Sequence, residues 1–598
     1  MLRFYSFLLL LAFSYHINAQ VYDDFLGAGN TIGIKVSSSS QEQNDSNTYV
    51  ITGTQLKPDL IGASRFLSQA TIGVAYEDIE NLTAIGIDAW MDEQFNLPLK
   101  PYTERYDELY EEITSIISED DHLNNYMSYV FYEYLVKEPD LLRQKVAFAL
   151  SQIFVISPYH GSTLNGRSHY NIVYYDFLYK AAFGNYKDLL QNVSLSLPMG
   201  NYLSHFMNQK ADLVDKTFPD ENFAREIMQL FSIGLHELKQ DGTAVLDAEG
   251  NRIPTYDIAN ITEMAKIFTG LGVGEKGDGE INDDFFRTFD FNGRVPMIMF
   301  EEFHSKGEKN ILPGVTIPAG QPGMEDINQT LDILFNHPNV APFISKRLIQ
   351  HLIKSNPSPA FVNRISTVFN NNGNGVRGDF KAVVKAILLD PEARDCVWLL
   401  DNSNGKLIQP LERFTTLFKA FDVDTPSGKI WFNDFNQLFE ETSQTFLSSP
   451  TVFNFFSPFY AEDEHVAPQG LVSPEFEILN SITAISYINE MENSIKTRPF
   501  RNQTAPDDTG RFLGFNDSDE PLLDFSDEIA LYENQGVDAM IDRLNLILCR
   551  GQLSAGTHDI IANAINQYEE EYADYNSEAA LKDALYFIMM TPNYLIQK

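Results

Sequence analysis

Pro139 to Ser157, PDLLRQKVAFALSQIFVIS, is the stretch whose periodicity decides the fold. Pro139 stands at a first-turn position, where a proline is tolerated because that amide has no partner in the helix. Behind it Leu142, Val146, Ala149, Ile153 and Phe154 recur at steps of three and four, which puts them on one face of an α-helix. The same reading predicts helices near 122–137, 168–183, 198–208, 220–234 and 257–270. A later set is predicted near 325–335, 338–354, 358–371, 378–389, 407–421, 475–494, 535–548, 556–571 and 578–590. Strand signals are scarce. The clearest is Thr243 to Tyr256, TAVLDAEGNRIPTY, where Glu249-Gly250-Asn251 separates two short apolar runs as a hairpin turn does. The expected fold is mainly α, a large multi-helical, bundle-like body in two packed lobes with small β-hairpin insertions.

Outward from this core, the chain divides by composition. Residues 1–19 read as a secretory signal peptide, with Arg3 as a thin basic region, Phe4 to Phe13 as the apolar run and a cut before Gln20. That run is too short to span a bilayer, and no later run reaches the length of a transmembrane segment. Residues 20–57, rich in Ser, Asn, Gly and Gln, are expected as a disordered leader. Residues 58–270 form a front helical lobe, 271–324 an irregular insertion in which the helical pattern lapses, and 325–598 a rear helical lobe. The expected destination is outside the cytoplasm, periplasmic or extracellular.

Lys and Arg number 43 against 83 Asp and Glu, a formal net charge of −40. Such a chain repels nucleic acid and anionic membrane surfaces, so neither is an expected partner. Cys396 and Cys549 are the two cysteines. In an exported chain they form one disulfide or stay as two buried thiols.

Several motifs fail on context. Gly272 to Gly277, GVGEKG, has the letters of a dinucleotide loop, but a helix precedes it where a strand is required. His236-Glu237 opens like a zinc-protease helix, yet Gln240 stands where the second ligand belongs. Asp241, Asp247 and Glu249 do not follow the spacing of a calcium loop. No nucleophile elbow or phosphate-binding loop is present. Of the histidines, His160, His169, His304 and His465 are the candidates for a metal, and no two share a helix face at a spacing of three or four. No metal and no cofactor is expected.

Three segments supply candidate site residues. In Pro219 to Gly234, PDENFAREIMQLFSIG, a helix places Asn222, Arg225, Glu226, Gln229 and Ser232 within about 120° of arc, away from Phe223, Ile227, Leu230 and Phe231. That stripe either faces water or forms a buried polar network, which would specify the fold or bind a ligand. Glu221 and Arg225 are spaced to pair. In FHSKGEKNILPG, His304 with Lys306 and Lys309 makes a local positive group that suits an anion or a proton transfer, or is simply a solvated loop. In Pro450 to Pro458, PTVFNFFSP, Phe453, Phe455 and Phe456 surround Asn454; they plug a core, or line a cleft in which Asn454 is the polar contact. The catalytic candidates are Glu221, Glu226 and His304. The binding candidates are Asn222, Arg225, Gln229, Lys306, Lys309 and Asn454.

These segments together resemble the bacterial exported family catalogued as domain of unknown function 1800. The resemblance is carried by RFLSQATIG from Arg65, RQKVAFALSQIFVIS from Arg143, LPMGNYLSHFMNQKAD from Leu197 and PDENFAREIMQLFSIGL from Pro219. HSKGEKNIL from His304, HPNVAPFISKRLIQHLIKSNPSP from His337, SPTVFNFFSP from Ser449 and TPNYLIQK from Thr591 continue it. Two positions depart: Leu197 stands where relatives often carry His, and His236 where they often carry Tyr, which argues against an essential imidazole at either. The resemblance implies an exported, mainly helical protein of unestablished activity, with an exported sulfatase-like protein of the family called domain of unknown function 1501 as a partner. The expected role is binding or scaffolding beside another exported protein. The alternative is a secreted hydrolase of extracellular polymer using a Glu/Arg/His site.

Overall fold

All 11 residues of the helix Leu141–Ser151 are buried, its charged ones included. The sequence predicts an apolar stripe with a polar back; the structure covers the back as well, because each polar group finds a partner. Arg143 lies over the ring of Phe183 at 4.5 Å and donates to the carbonyl of Leu97 at 3.0 Å. Gln144 Nε2 donates to the carbonyl of Tyr134 at 3.0 Å and to Asp140 Oδ1 at 2.9 Å. Lys145 pairs with Glu412. Helix formation begins at Leu141, after Asp140, so Pro139 lies just outside the first turn instead of in it.

This computed structural model describes residues 33–37, 48–53, 56–114, 123–157, 168–276, 279–280, 286, 292–401, 403–431, 441–497 and 519–598. The expected signal peptide, most of the expected leader and His160 lie outside the described residues. The helices that position the site are α1 (Pro58–Ala70), α2 (Leu141–Ser151), α3 (Asn222–Gln229), α4 (Ile258–Ile267), α5 (Gly323–Asn336), α6 (Val340–Leu352), α7 (Pro410–Ala420) and α8 (Val537–Cys549). The architecture is mainly α, as the periodicity predicts. No helix among the described residues is long and apolar enough to cross a membrane.

One apolar core takes residues from Leu56 through Tyr594, on both sides of the 271–324 stretch. Helices far apart in sequence meet in it: Ser64 Oγ on α1 donates to the carbonyl of Leu546 on α8 at 2.6 Å. Strands are short and paired. Gly33–Ser37 runs parallel to Thr48–Thr52, inside the stretch expected as leader. Leu271–Gly272 pairs with Ile298–Met299, Lys309–Leu312 with Val315–Ile317, and Lys406–Leu407 with Ile596–Gln597, all antiparallel. The expected hairpin is present as antiparallel bridges, with Leu246 opposite Arg252 bracketing the turn and Asp247 Oδ1 accepting from the amides of Glu249 and Asn251 at 3.0 and 2.8 Å.

Two predicted helices are shorter than their apolar pattern. The one near 198–208 is Leu197–Tyr202, because Ser204 and Met207 adopt left-handed backbone at φ 63° and 58°. The one near 220–234 starts at Asn222 and stops at Gln229: the amide of Phe231 reaches back to the carbonyl of Glu226 at 3.0 Å, and Gly234, at φ 71°, closes the turn on Met228 at 2.8 Å. A side chain at Gly234 would meet the ring of Phe343 on α6 at 2.9 Å, so this glycine lets the turn and α6 approach. Both cysteines are buried free thiols, which settles the two alternatives left open by their spacing.

Candidate functional site

On α6, Arg347, Gln350 and His351 fall at steps of three and four, hence on one face of the helix. That face meets the end of α2, where Gln152 and Ile153 follow the last helical turn, and the turn Val452–Phe459 with Asn454 at its centre. Pro474 and Glu475 close the far side. Together they enclose a cavity of about 30 Å³.

The cavity wall holds a charge with no counter-charge among the described residues. Arg347 is 7% exposed and forms no ion pair with any described residue. Its Nη1 donates to Gln350 Oε1 at 2.7 Å, and its guanidinium lies 4.5 Å from the ring centre of Phe459 and 5.3 Å from that of Phe343. Its Nε makes no hydrogen bond. Neither do Gln152 Nε2, His351 Nδ1 and Glu475 Oε2, three further buried atoms of residues lining the same pocket. Buried polar atoms rarely stay unpartnered, and four on one cavity wall is a local exception.

Burial pushes Arg347 down to about 10, still a cation at neutral pH. Burial, then the charges of Lys406, Arg347 and Lys145, hold His351 well below the ordinary imidazole range, so it is neutral. Glu475 is raised by burial against the opposing pull of Lys406, 3.5 Å from its carboxylate. For Glu412 burial works the same way, but Lys145 and Lys406 outweigh it and hold the carboxyl below its usual value. Lys406 Nζ also donates to the carbonyl of His351 at 2.6 Å. Lys145 and Lys406 are therefore committed to carboxylates, and Arg347 is the cation that faces the cavity. The set can hold a small anionic group by a guanidinium donor, an amide donor and a ring nitrogen; it offers no activated nucleophile.

Of the residues proposed from sequence, Asn454 belongs to this pocket. It sits at φ 73°, is 5% exposed, and its Nδ2 donates to Gln152 Oε1 at 3.1 Å. Phe453 and Phe456 line the pocket, while Phe455 and Phe456 pack with Ile478 in a small separate core, so the turn both fills and lines. The α3 stripe divides. Asn222 is exposed and donates to Ser204 Oγ at 3.4 Å; Arg225 and Glu221 form a half-exposed pair at 3.5 Å; Gln229 is half-buried. Glu221 Oε1 also accepts from Thr262 of α4 at 2.7 Å. Glu226 is buried, its Oε2 without a hydrogen bond, and burial raises it to about 7.

The His304 group is not a solvated anion site. His304 and Lys309 are fully buried around Asp326 of α5, the ring Nε2 at 3.0 Å and the ammonium at 2.5 Å from Asp326 Oδ2. Lys306 alone stays outside, paired with Glu301 at 2.9 Å. The structure thus does not bring Glu226, His304 and Lys309 into one cleft. Arg347, His351, Gln152 and Glu475 were not singled out from sequence, although Arg347 and His351 share a face of one helix. That polar i, i+4 pair was the readable signal.

Glu462, Glu464 and His465 place ligand atoms within 4.8 Å of one another. Glu462 already accepts from the amides of Glu464 and His465 at 3.1 and 2.8 Å, which accounts for the turn without an ion. The family model described as Protein of unknown function (DUF1800) matches residues 65–596, nearly the whole chain. No curated protein and no solved structure matches.

Proposed function

Since the chain belongs to the DUF1800 family, whose activity is not established, we propose that it is an exported binding protein whose Arg347 pocket recognises a small anionic group, a carboxylate, sulfate or phosphate, on a ligand or on a companion protein. The observation that carries this reading is a buried guanidinium, Arg347, with no ion pair among the described residues, in a cavity also lined by Gln152 and His351, each of which, like Arg347, keeps one side-chain nitrogen without a hydrogen bond. An anion that enters supplies acceptors to Arg347 and Gln152 and restores charge balance where burial makes imbalance costly. An exported sulfatase-like companion, as the family resemblance implies, is the partner this reading favours.

The test is a calorimetric titration of the protein with acetate, sulfate and phosphate, repeated on Arg347→Met. The expected result is saturable binding of at least one anion, weakened at least about tenfold by the substitution. Absence of saturation up to about 10 mM, or equal binding by the variant, overturns the proposal.

One observation favours a hydrolytic second reading. Glu226 is a buried carboxyl raised to about 7, its charge acts on Tyr202 and Tyr256, and Leu230, one turn along, lines the pocket. A neutral carboxyl near neutral pH suits a general acid. Release of reducing ends from polysaccharide by the wild type and not by Glu226→Gln would support it; equal release by both, or none by either, removes it.

A further inference from the structure

Lys346 precedes Arg347 on α6 and stands about 100° away round the helix, on the side facing the 243–256 hairpin. Asn339, the N-cap of α6, marks that side. Its Oδ1 accepts from the amide of Leu238 at 2.9 Å, and its Nδ2 donates to the carbonyls of Ile233 and His236, both at 2.8 Å. Seven residues make almost two full turns, so Lys346 falls within about 20° of Asn339. His236 in turn bridges Pro254, which lays the strand carrying the exposed Arg252 against the segment that Asn339 holds. Phe343 separates the two sides of the helix: the Gly234 turn packs on its ring, and the Arg347 guanidinium lies 5.3 Å from its centre.

No acid answers these cations. Burial, then the charges of Arg347 and Arg252, push Lys346 down to about 8, and no carboxylate among the described residues pulls it back. The hairpin's own acids are held locally: Asp241 accepts from the amide and the hydroxyl of Thr243 at 2.9 and 2.6 Å, and Asp247 from the amides of its own turn. In a chain of net charge −40, three cations without an acid between them reverse the local sign. Two of their nitrogens are within a ligand's reach. Lys346 is half-buried, and its Nζ, like Arg347 Nη2, makes no hydrogen bond among the described residues and is not sealed from water.

A single small anion in the pocket answers Arg347 and leaves Lys346 and Arg252, outside it, uncompensated. We propose that the ligand of this site carries at least two neighbouring anionic groups, one held by Arg347 and the next by Lys346 and Arg252, an inference that rests on the anion reading of the Arg347 pocket. Charge-assisted bonds to partly desolvated cations are stronger than those in open water, so the number of anionic groups sets the selectivity.

The experiment is calorimetry on the full protein in metal-free buffer with two matched pairs of probes, acetate against succinate and inorganic phosphate against pyrophosphate. The expected result is that the two-group member of at least one pair binds at least about tenfold tighter than its one-group partner. Lys346→Met removes most of that advantage and leaves the one-group anion bound, while Arg252→Ala, at an exposed position, lowers it by about threefold. Both variants are checked for an unchanged melting temperature, and Arg252→Ala decides alone where Lys346→Met fails to fold. One-group anions that bind as tightly as their two-group partners, or an advantage that survives in the folded variants, overturn the proposal and leave the anion pocket standing. No binding of any probe up to about 10 mM overturns both.

Discussion

Two buried charge clusters in this molecule each combine a cation, an imidazole, an amide and a carboxylate, and end differently. Around Asp326, every polar atom is answered: His304 Nδ1 meets the carbonyl of Thr269 at 2.8 Å, its Nε2 and Lys309 share Asp326 Oδ2, and Gln321 Nε2 donates to Asp326 Oδ1 at 2.8 Å. Around Arg347, a guanidinium, an imidazole, an amide and a carboxylate, all on residues that line a cavity, each keep one atom without a hydrogen bond. A closed network fixes the register of its elements, here the strand Lys309–Leu312 against α5. An open one keeps donors in place for something that arrives later. Polarity and burial alone do not separate structure from recognition.

The harshest way to break the contrast is Asp326→Ala, which strands Lys309 beside His304 without a counter-charge. Loss of one partner from a buried pair costs about 3–5 kcal/mol, and urea unfolding monitored by circular dichroism reads it. A loss under about 1 kcal/mol would mean the cluster is not closed in solution. Glu226, buried like these groups but singly unpartnered, tests an intermediate case. Its folded value, about 7, lies above the usual 4.5, so the folded state holds more protons within that window. Stability from this group is present in acid and falls as pH climbs through the window. Glu226→Gln removes the fall, and its stability relative to wild type should be greater near pH 8 than near pH 5, by about 1–2 kcal/mol after allowance for partial solvation. Unfolding curves at both pH values check it.

For the open cluster, Arg347→Met should change the unfolding free energy by no more than about 1 kcal/mol, since a buried charge without a counter-ion is replaced by an apolar chain of similar length. A loss approaching that of Asp326→Ala would erase the distinction between the clusters. Smallest of all is Lys306→Ala, which removes the exposed pair with Glu301 and should shift stability by about 0.5 kcal/mol or less. Thermal melts resolve whether it belongs with the Asp326 cluster or, as its exposure indicates, with the solvent.

Helix content and the 243–256 hairpin were legible because apolar spacing and turn residues are local signals. The stops at Tyr202 and Gln229 were not, since left-handed backbone at Ser204 and the wide turn onto Met228 are imposed by packing against later segments. At the site, Asn454 was legible as a polar residue set among aromatics. His304 and Lys309 looked solvated because their partner is Asp326, 22 and 17 residues on in another element. Arg347 was overlooked because a lysine-arginine pair on a helix ordinarily marks a wet face. Only the approach of α2 and of the aromatic turn, from distant parts of the chain, makes that face an interior one.

Helix α2 has no face left for water, and its lysine finds a carboxylate 267 residues downstream. A chain emerging from the ribosome therefore makes this segment long before anything exists to clothe it. Contacts of such long range close late and slowly, so the bare segment is an aggregation hazard until α7 arrives. Whatever keeps the nascent chain apart during that interval is as much a condition of its folding as the residues themselves.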